Sequence, residues 1–323
     1  MATFQAIREW LQVCTTHTNC LKAFERGNST VFNRGPTRLV FVGSSNVGSV
    51  KIVSPNSNVK YAALSYCWGG DDSMKLTRAK LDTWQRAITV SQLPRTIQDA
   101  IISTRFLGLE YLWVDRLCII QYDPANIHKE IAAMPEIYQR ATLTISASSA
   151  KSSDEGFLHT STVTYQKLDR CLVVLRYRCP DKQYGRVVLA RQRAQDDPVD
   201  RRSPIDRRAW TLQEDMLSIR IIRFGLESIQ WGCRCSSTRC WHNGIEIKTE
   251  TWGKDEFIQL RYISFEWKWS HIVKNYTQRE LGVPADKLLA ISAVAQDISR
   301  DYGQQTTRYL AGIWQHELPK ALM

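Results

Sequence analysis

The sequence predicts an α/β protein in which helices flank a mostly parallel central sheet. The first indication is the short apolar run Tyr111–Val114, whose aromatic and branched residues are typical of a strand that is buried on both faces. The second is the order of helical and strand-like spacing around that run, from Leu93 to Ser148. Helix, strand, helix and strand in this order are typical of parallel strands that are joined by helical crossovers.

The helices and strands that precede residue 93 are predicted from hydrophobic spacing and turn residues. Residues 1–26 have amphipathic spacing and predict one helix that ends near Gly27. Residues 37–53 alternate on both sides of a glycine- and serine-rich stretch, which predicts a hairpin. Tyr61–Tyr66 predicts a strand, and Ser73–Arg86 predicts a helix.

Three further elements make up the centre together with the apolar run. Leu93–Gly108 predicts a helix of roughly four turns that starts at a proline and stops at a glycine. Asn126–Arg140 has apolar residues at helical intervals, and Pro135 is expected to kink this helix or to end its first half. Ala141–Ser148 alternates with the spacing of a strand.

The chain beyond this centre divides into an insertion and a final part. Two predicted strands, Cys171–Tyr177 and Gly185–Ala190, form an inserted β-hairpin region, and predicted helices at 255–280 and 287–300 give a helical C-terminal part. We predict a single domain over residues 1–323 that has four parts. They are an N-terminal helix and hairpin (1–60), an α/β core (61–158), the insertion (159–204) and the C-terminal part (205–323).

The composition is that of an ordinary globular protein, with 43% hydrophobic and 23% charged residues. No apolar run approaches the roughly 20 residues that span a bilayer. The amphipathic segment Ala6–Cys14 also lacks the continuous apolar core of a secretory signal. We therefore expect a cytoplasmic protein that has no membrane partner.

The net charge of +11 is concentrated in one segment. Between Arg170 and Arg223 the chain has thirteen lysines and arginines against seven acidic residues. A solvated basic face is the first interpretation, and a binding site for a small anionic molecule or a nucleotide is the second. Since no nucleic-acid-binding motif accompanies the basic segment, no nucleic-acid partner is expected.

Nine cysteines without a secretory signal do not predict a disulfide framework. Two groups of them have the ligand types of zinc sites. One is Cys14-x-x-His17-x-x-Cys20, and the other contains Cys233, Cys235, Cys240 and His242. Reduced thiols that bind no metal are the first interpretation, and the alternative is that the two groups are halves of a zinc site.

Polar residues follow two of the predicted strands, at the edge where open α/β sheets bind ligands. Asp115 and Gln121 follow the central strand; in the alternative interpretation, Asp115 only caps a turn or pairs with Arg116. Ser65, Tyr66 and Trp68 follow the preceding strand and offer a hydroxyl, a phenol and a stacking surface.

The predicted helix after the insertion adds a further carboxylate to the candidate site. Trp210 and Glu214 share a helical face, and a glutamate on a buried face has a raised pKa unless a cation pairs with it. Arg208 is a candidate cation, and a purely structural arginine–glutamate pair is the alternative. We therefore predict two sets of site residues. The catalytic candidates are Asp115, Glu214 and Glu130, and the ligand-binding candidates are Ser65, Tyr66, Trp68, Gln121, Arg208, Trp210 and Gln213.

The sequence has no phosphate-binding loop, dinucleotide glycine fingerprint, nucleophile elbow or metalloprotease helix. Phosphoryl transfer and serine hydrolysis are therefore disfavoured. Carboxylates in different environments suit general acid–base catalysis or stabilisation of an oxocarbenium ion instead.

Five blocks of the chain resemble, in the same order, the motifs of the fungal heterokaryon-incompatibility (HET) domain. They are Tyr61–Gly69, Leu93–Ala100, Tyr111–Gln121, Glu130–Ala141 and Arg208–Arg220. The resemblance covers most of residues 5–318. It implies a fungal protein of self/non-self recognition and cell death.

The HET domain is in turn distantly similar to TIR domains, in which two strand ends flank a nucleotide site. Ser65-Tyr66 and Asp115 resemble those strand ends. The resemblance implies a TIR/flavodoxin-like core and an NAD glycohydrolase, with NAD as substrate and no certain cofactor. Trp68 would then stack on a base, Asp115 or Glu214 would act on the ribose, and Arg208 would hold a phosphate.

Two other functions stay open at this point. One is a non-catalytic signalling module that works by self-association, and the other is a stand-alone biosynthetic enzyme that acts on a small fungal metabolite.

Overall fold

The computed structural model describes most of the chain. The described residues are 2–27, 35–43, 48–55, 59–70, 74–158, 172–178, 184–190, 203–226, 228–235, 239–242, 245–248, 265–301 and 308–318. No helix among them is long and apolar enough to cross a membrane.

Helices and short strands alternate along these residues. The strands are β1 (Leu39–Phe41), β2 (Ser49–Val53), β3 (Tyr61–Ser65), β4 (Ile88–Thr89), β5 (Tyr111–Trp113), β6 (Leu143–Ser146), β7 (Leu172–Arg178), β8 (Tyr184–Ala190), β9 (Arg220–Phe224), β10 (Ile229–Cys233), β11 (Arg239–His242), β12 (Ile245–Lys248), β13 (Tyr309–Leu310) and β14 (Ile313–Trp314). The helices are α1 (Ala2–Cys14), α2 (Thr18–Gly27), α3 (Arg78–Arg86), α4 (Arg95–Phe106), α5 (Asp115–Cys118), α6 (Pro124–Arg140), α7 (Ala209–Leu217), α8 (Phe265–Thr277) and α9 (Leu289–Asp301).

A mixed sheet of 10 strands forms the centre of the protein, in the order β12-β11-β10-β9-β6-β3-β5-β1-β2-β4. The four central strands, β9, β6, β3 and β5, are parallel to one another. The flanking strands pair antiparallel. The predicted α/β class is confirmed, and its parallel part is the centre of a sheet whose two sides are antiparallel.

The chain changes direction across the sheet at β3. It passes from β3 to β5 on one side and then returns to β6 on the other side, so that β3 lies between them. Connections that leave neighbouring strands in opposite directions open a crevice at the carboxyl ends of those strands. Ser65 and Ser146 are register partners at this point.

Central strands β3 and β6 are buried along their whole length, as the apolar patterns predict for strands with both faces covered. Helix α6 continues through Pro135 without ending there. A proline inside a helix removes one backbone hydrogen bond. Burial of Met134, Ile137 and Tyr138 on the same helix offsets that loss, because buried apolar area stabilises the fold.

The predicted single N-terminal helix is wrong, because the segment forms two helices, α1 and α2, with His17 between them. The hydroxyls of Thr15 and Thr16 donate hydrogen bonds to the carbonyls of Gln12 and Val13, at 2.6 and 2.8 Å. Side-chain bonds of this kind compete with helix propagation. The hairpin of β1 and β2 is confirmed.

The C-terminal part contains strands as well as helices. β9 to β12 extend the central sheet, while α8 and α9 pack with α7 into a second apolar core around Trp269 and Trp314. The region predicted as a helical C-terminal part therefore contains strands as well as helices, and these strands join it to the sheet. The inserted hairpin is confirmed as β7 and β8, which pair only with each other among the described strands.

One buried carboxylate on α4 holds the loop that follows β6. Asp99 accepts hydrogen bonds from the backbone N–H groups of Phe157 and Leu158, at 2.7 and 3.0 Å. Gly156, just before them, has φ of 73°, and a Cβ there would lie 2.7 Å from Asp99 Oδ2. The loop is therefore shaped around this carboxylate.

Replacing the carboxylate should loosen this loop. We predict that Asp99→Ala lowers the free energy of unfolding by roughly 2–3 kcal/mol, because two N–H groups lose their buried acceptor. Urea denaturation measures the change. The matched control is Asp154→Ala in the same loop, where the side chain is exposed and the expected change is within about 0.5 kcal/mol. Equal effects of the two substitutions would contradict this role of Asp99.

Candidate functional site

A buried polar cluster lies at the carboxyl end of β3, where the connections of the parallel strands leave in opposite directions. Ser65 and Tyr66 are 2% and 1% exposed. Helix α7 packs against β3, α6 and α9 and brings the equally buried Glu214 to this strand end. The Ser65 hydroxyl hydrogen-bonds the Glu214 carboxylate. Two of the predicted residues, 149 positions apart in the chain, are therefore in direct contact.

Burial raises the pKa of Glu214 to about 7. The positive charge of Arg208 opposes this shift, as do the hydrogen bonds from Ser65 and Tyr138. The Tyr138 hydroxyl is also 3.1 Å from the carbonyl oxygen of Leu64. Its single proton can therefore be donated either to the carboxylate or to the strand. A carboxyl group with this pKa can exchange a proton near neutral pH.

Arg208 lies immediately before α7, in a segment that is fixed by backbone contacts. It forms an isolated parallel β-bridge with Glu280, and its guanidinium donates through Nη1 to the carbonyl oxygen of Tyr66. Burial alone would lower its pKa, but the charges of Glu214 and Asp115 outweigh burial and raise it. Arg208 therefore stays a cation between the two acidic side chains and remains half-buried.

Asp115 follows β5 and begins the short helix α5. Its Oδ1 accepts from the backbone N–H of Arg116 and its Oδ2 from the indole Nε1 of Trp68, both at 2.7 Å. Burial raises its pKa, while Arg208 and the Trp68 hydrogen bond lower it. Both oxygens of Asp115 therefore have protein partners, and the positive charge of Arg208 also acts on this carboxylate.

The phenol of Tyr66 is buried beside these charges. Burial raises its pKa well above the ordinary value, and the negative charge of Asp115 raises it further. The positive charges of Arg116 and Arg208 oppose the shift. Tyr66 therefore keeps its proton at neutral pH and can donate it in a hydrogen bond.

The ring of Trp68 contacts two cations. The guanidinium carbon of Arg116 is 5.0 Å from its centroid and the Lys75 ammonium is 5.1 Å away, and both distances are typical of cation–π contacts. Arg116 is fully buried and donates to the carbonyl oxygen of Trp68 at 3.2 Å and to Ser153 Oγ at 3.3 Å. Trp68 therefore holds Asp115 and Arg116 in place, in addition to any stacking role.

Two predicted residues make their polar contacts elsewhere. Glu130 is buried beside Arg38, with 3.5 Å between Arg38 Nη1 and Glu130 Oε1, and it also accepts from the Thr37 hydroxyl. Gln121 donates from its side chain to the carbonyl oxygen of Ile119 at 3.1 Å. Glu130 thus joins α6 to the segment before β1, and the structure does not bring it into contact with Glu214 or Asp115 among the described residues.

The two remaining predicted site residues, Trp210 and Gln213, lie on α7. Trp210 packs against both apolar cores and joins them. Gln213 is 1% exposed, and among the described residues its amide nitrogen has no hydrogen-bond partner. Buried polar atoms without partners are uncommon and are candidates for contact with a bound ligand.

Sequence reasoning missed three members of the cluster: Tyr138, Arg116 and Ser153. In the sequence, Tyr138 is recognisable only as part of the apolar spacing of its helix, which predicts burial but no polar contact. A buried phenol, however, usually has a polar partner. Arg116 follows Asp115 directly, but its position under Trp68 depends on a contact between two loops. No local pattern signals that contact.

Side chains from the two predicted cysteine and histidine groups also meet in the structure: the whole first group, Cys14, His17 and Cys20, lies together with Cys233 of the second. Sγ of Cys14, Cys20 and Cys233 and a ring nitrogen of His17 all lie within 4.8 Å of one another. Cys235 Sγ is 3.3 Å from Cys20 Sγ. The side chains of Cys240 and His242 lie outside the described part of the chain.

A cavity of about 260 Å³ lies in the C-terminal part. It is lined by Tyr276, Thr277, Arg279, Leu281, Pro284 and Lys287. None of the predicted site residues lines it. The polar cluster reaches the surface instead through its half-buried members Trp68, Asp115 and Arg208.

A comparison with protein families matches residues 61–214 to the family described as heterokaryon incompatibility protein (HET). This range begins at β3 and ends at Glu214, so that it spans every member of the polar cluster. Searches of the curated proteins and of the solved structures found no match.

The raised pKa of Glu214 makes the stability of the protein depend on pH. The pKa of Glu214 is raised from 4.5 to about 7 in the folded protein, so the folded state holds this proton more tightly than the unfolded state. The resulting contribution to the free energy of unfolding is complete at low pH and is lost as pH rises through about 7. We predict that the free energy of unfolding of the wild type falls, relative to Glu214→Gln, by roughly 3 kcal/mol between about pH 4.5 and pH 8. Urea denaturation across this range measures it. The exposed control Glu110→Gln should follow the wild type, and a parallel pH profile for Glu214→Gln would refute the shift.

Gly69 allows the loop after β3 to approach the loop that contains Ser152. Gly69 has φ of 73°, and a Cβ there would lie 2.6 Å from Ser152 Cβ. We predict that Gly69→Ala lowers the free energy of unfolding by about 1–3 kcal/mol, from backbone strain and steric overlap.

The control for Gly69→Ala is the same substitution at the next residue, Gly70→Ala. A Cβ added at Gly70 would have no other atom within 4 Å, and Gly70 is exposed, so Gly70→Ala should change the unfolding free energy by less than about 0.5 kcal/mol. Thermal and urea unfolding of both variants provide the measurement. If Gly69→Ala were as stable as Gly70→Ala, the close approach of the loops would be disproved.

Proposed function

We propose that this chain, whose residues 61–214 match the heterokaryon-incompatibility (HET) family, acts in fungal self/non-self recognition and cell death as a hydrolase that cleaves the nicotinamide–ribose bond of NAD. The observation that carries the proposal is the buried carboxyl group of Glu214, with a pKa of about 7, beside the cation Arg208. Carboxyl groups with raised pKa values in a crevice at the ends of parallel strands are typical of catalytic sites.

The chemistry of this bond suits a single carboxylate. Nicotinamide leaves as a neutral base when the bond between its nitrogen and ribose C1′ breaks, and the ribose becomes oxocarbenium-like in the transition state. The ionised Glu214 would stabilise that positive charge and accept a hydrogen bond from a ribose hydroxyl. Water then adds to C1′ and its proton passes to Glu214 or to solvent, which yields ADP-ribose.

The other members of the cluster have complementary roles in this proposal. Arg208 is a half-buried cation and suits a diphosphate, for which arginine is a preferred partner. Gln213 has a buried amide nitrogen that lacks a partner among the described residues and can donate to the ligand, as can the protonated phenol of Tyr66. Asp115 is a positioning residue, because both of its oxygens already accept hydrogen bonds.

The order of the parallel strands supports a TIR/flavodoxin-like core. Numbered along the chain, β3, β5, β6 and β9 lie in the spatial order 2-1-3-4, which is the beginning of the flavodoxin-like order. In folds of that order the ligand lies between the first and third strands, here β3 and β6, where Ser65 ends β3.

The same contacts favour a second candidate function. Arg208, Asp115 and Trp68 are each bound to protein groups, so the cluster also fixes α7 and two loops on the sheet. A HET domain in which this fixing is the whole role of the cluster would be a non-catalytic module that signals by self-association.

An activity assay distinguishes the two candidates. Purified protein is incubated with NAD, and nicotinamide and ADP-ribose are quantified by chromatography. We predict turnover by the wild type and a loss of about 10²–10⁴-fold in kcat for Glu214→Gln, the range for removal of a catalytic acid or base. The control Glu110→Gln should keep full activity, since its side chain is exposed.

Circular dichroism would show that each variant is folded. Folded wild-type protein that releases no nicotinamide, as a monomer or after self-association, would refute the hydrolase. It would leave the signalling module as the function of the domain.

A further inference from the structure

Three cysteines and one histidine from distant parts of the sequence form a cluster. Cys14 is the last residue of α1, His17 lies in the turn, and Cys20 is in the first turn of α2. Cys233 is the last residue of β10 in the central sheet. Trp10 and Trp231 pack with ring centroids 6.3 Å apart, so that α1 is already held against β10.

The distances in the cluster are close to those of a tetrahedral zinc site. Four ligand atoms lie within 4.8 Å of one another, and Nδ1 of His17 is 3.6 Å from Sγ of Cys233. Zinc–sulfur bonds of about 2.3 Å and zinc–nitrogen bonds of about 2.0 Å, at tetrahedral angles, place sulfur about 3.5–3.8 Å from a neighbouring ligand atom. The observed spacing leaves room for one ion and requires only small movements.

Burial and charge also fit this metal. Cys14, Cys20 and Cys233 are fully buried, whereas His17 is half-buried. Three thiolates and one neutral imidazole around Zn²⁺ leave one negative charge. Arg220 Nε lies 3.2 Å from Cys14 Sγ, where it neutralises that charge and donates to the sulfur, as groups around metal ligands commonly do.

We propose that Cys14, His17, Cys20 and Cys233 bind one structural Zn²⁺ that fastens the two N-terminal helices to β10, the antiparallel strand beside the parallel centre of the sheet. Four protein ligands complete the coordination of zinc, so this site is structural and leaves no position for a substrate. Cys235, 3.3 Å from Cys20 Sγ and half-buried, lies outside the set of four ligands. The proposal is independent of the hydrolase, because none of these residues belongs to the polar cluster.

Metal analysis tests the proposal on the whole chain. Protein purified under reducing conditions should contain about one zinc per chain by elemental mass spectrometry. Cys14→Ser and Cys233→Ser should lose this zinc, whereas Cys118→Ala should retain it, because Cys118 is a buried thiol near Val114 and outside the cluster.

A second measurement covers the case in which the serine variants do not fold. Zinc is removed from the wild type with a chelator under reducing conditions, and Co²⁺ is then added. The proposal expects thiolate-to-cobalt charge-transfer absorption and the strong visible bands of a tetrahedral site, together with recovery of the thermal midpoint lost on zinc removal.

Two results would overturn the site. One is wild-type protein that is purified without zinc and binds no Co²⁺ after reduction. The other is a disulfide between Cys20 and Cys235 in folded, zinc-free protein, shown by peptide mass spectrometry, since their sulfurs would then be drawn away from the metal position.

Discussion

The burial of one carboxyl group, that of Glu214, is the constraint on which the rest of the candidate site depends. A buried carboxylate is unfavourable unless a cation or hydrogen-bond donors compensate it. Here the compensation comes from three separate elements: Ser65 on β3, Tyr138 on α6 and Arg208 before α7. The strand order, the helix packing and the charge of the site are therefore parts of one arrangement, and each element is needed to keep the proton of Glu214 exchangeable near neutral pH.

This arrangement explains why the cluster lies where it does. Among the described parallel strands, connections leave in opposite directions at the carboxyl end of β3, so loops from both sides meet there. Asp115, Trp68 and Arg116 link those loops. Such links stabilise the fold and also bring Arg208, Asp115 and Glu214 close enough for their charges to shift one another's pKa values.

Much of the fold could be predicted from sequence because its central elements have strong local patterns. Strands β3, β5 and β6 are short apolar runs, and α4 has helical spacing between a proline and a glycine. The break at His17 was missed because Thr15 and Thr16 have side-chain bonds that amphipathic spacing does not reveal. The candidate site was predicted less completely, since its contacts are long-range. Residue type and position marked Ser65, Asp115 and Glu214 as candidates, but only the fold shows which of them are in contact. The meeting of Cys233 with the N-terminal cysteines was offered by the sequence only as an alternative.

The most direct test of this account is the titration of Glu214 itself. Carbon-13 NMR of protein labelled at the glutamate side-chain carboxyl carbons, compared with Glu214→Gln for assignment, follows each carboxyl group as pH changes. We predict one glutamate resonance that titrates near pH 7 and is missing from the variant. If the resonance of Glu214 titrated near the ordinary value of 4.5, the carboxyl group would be solvated and ionised, and the central claim would be contradicted.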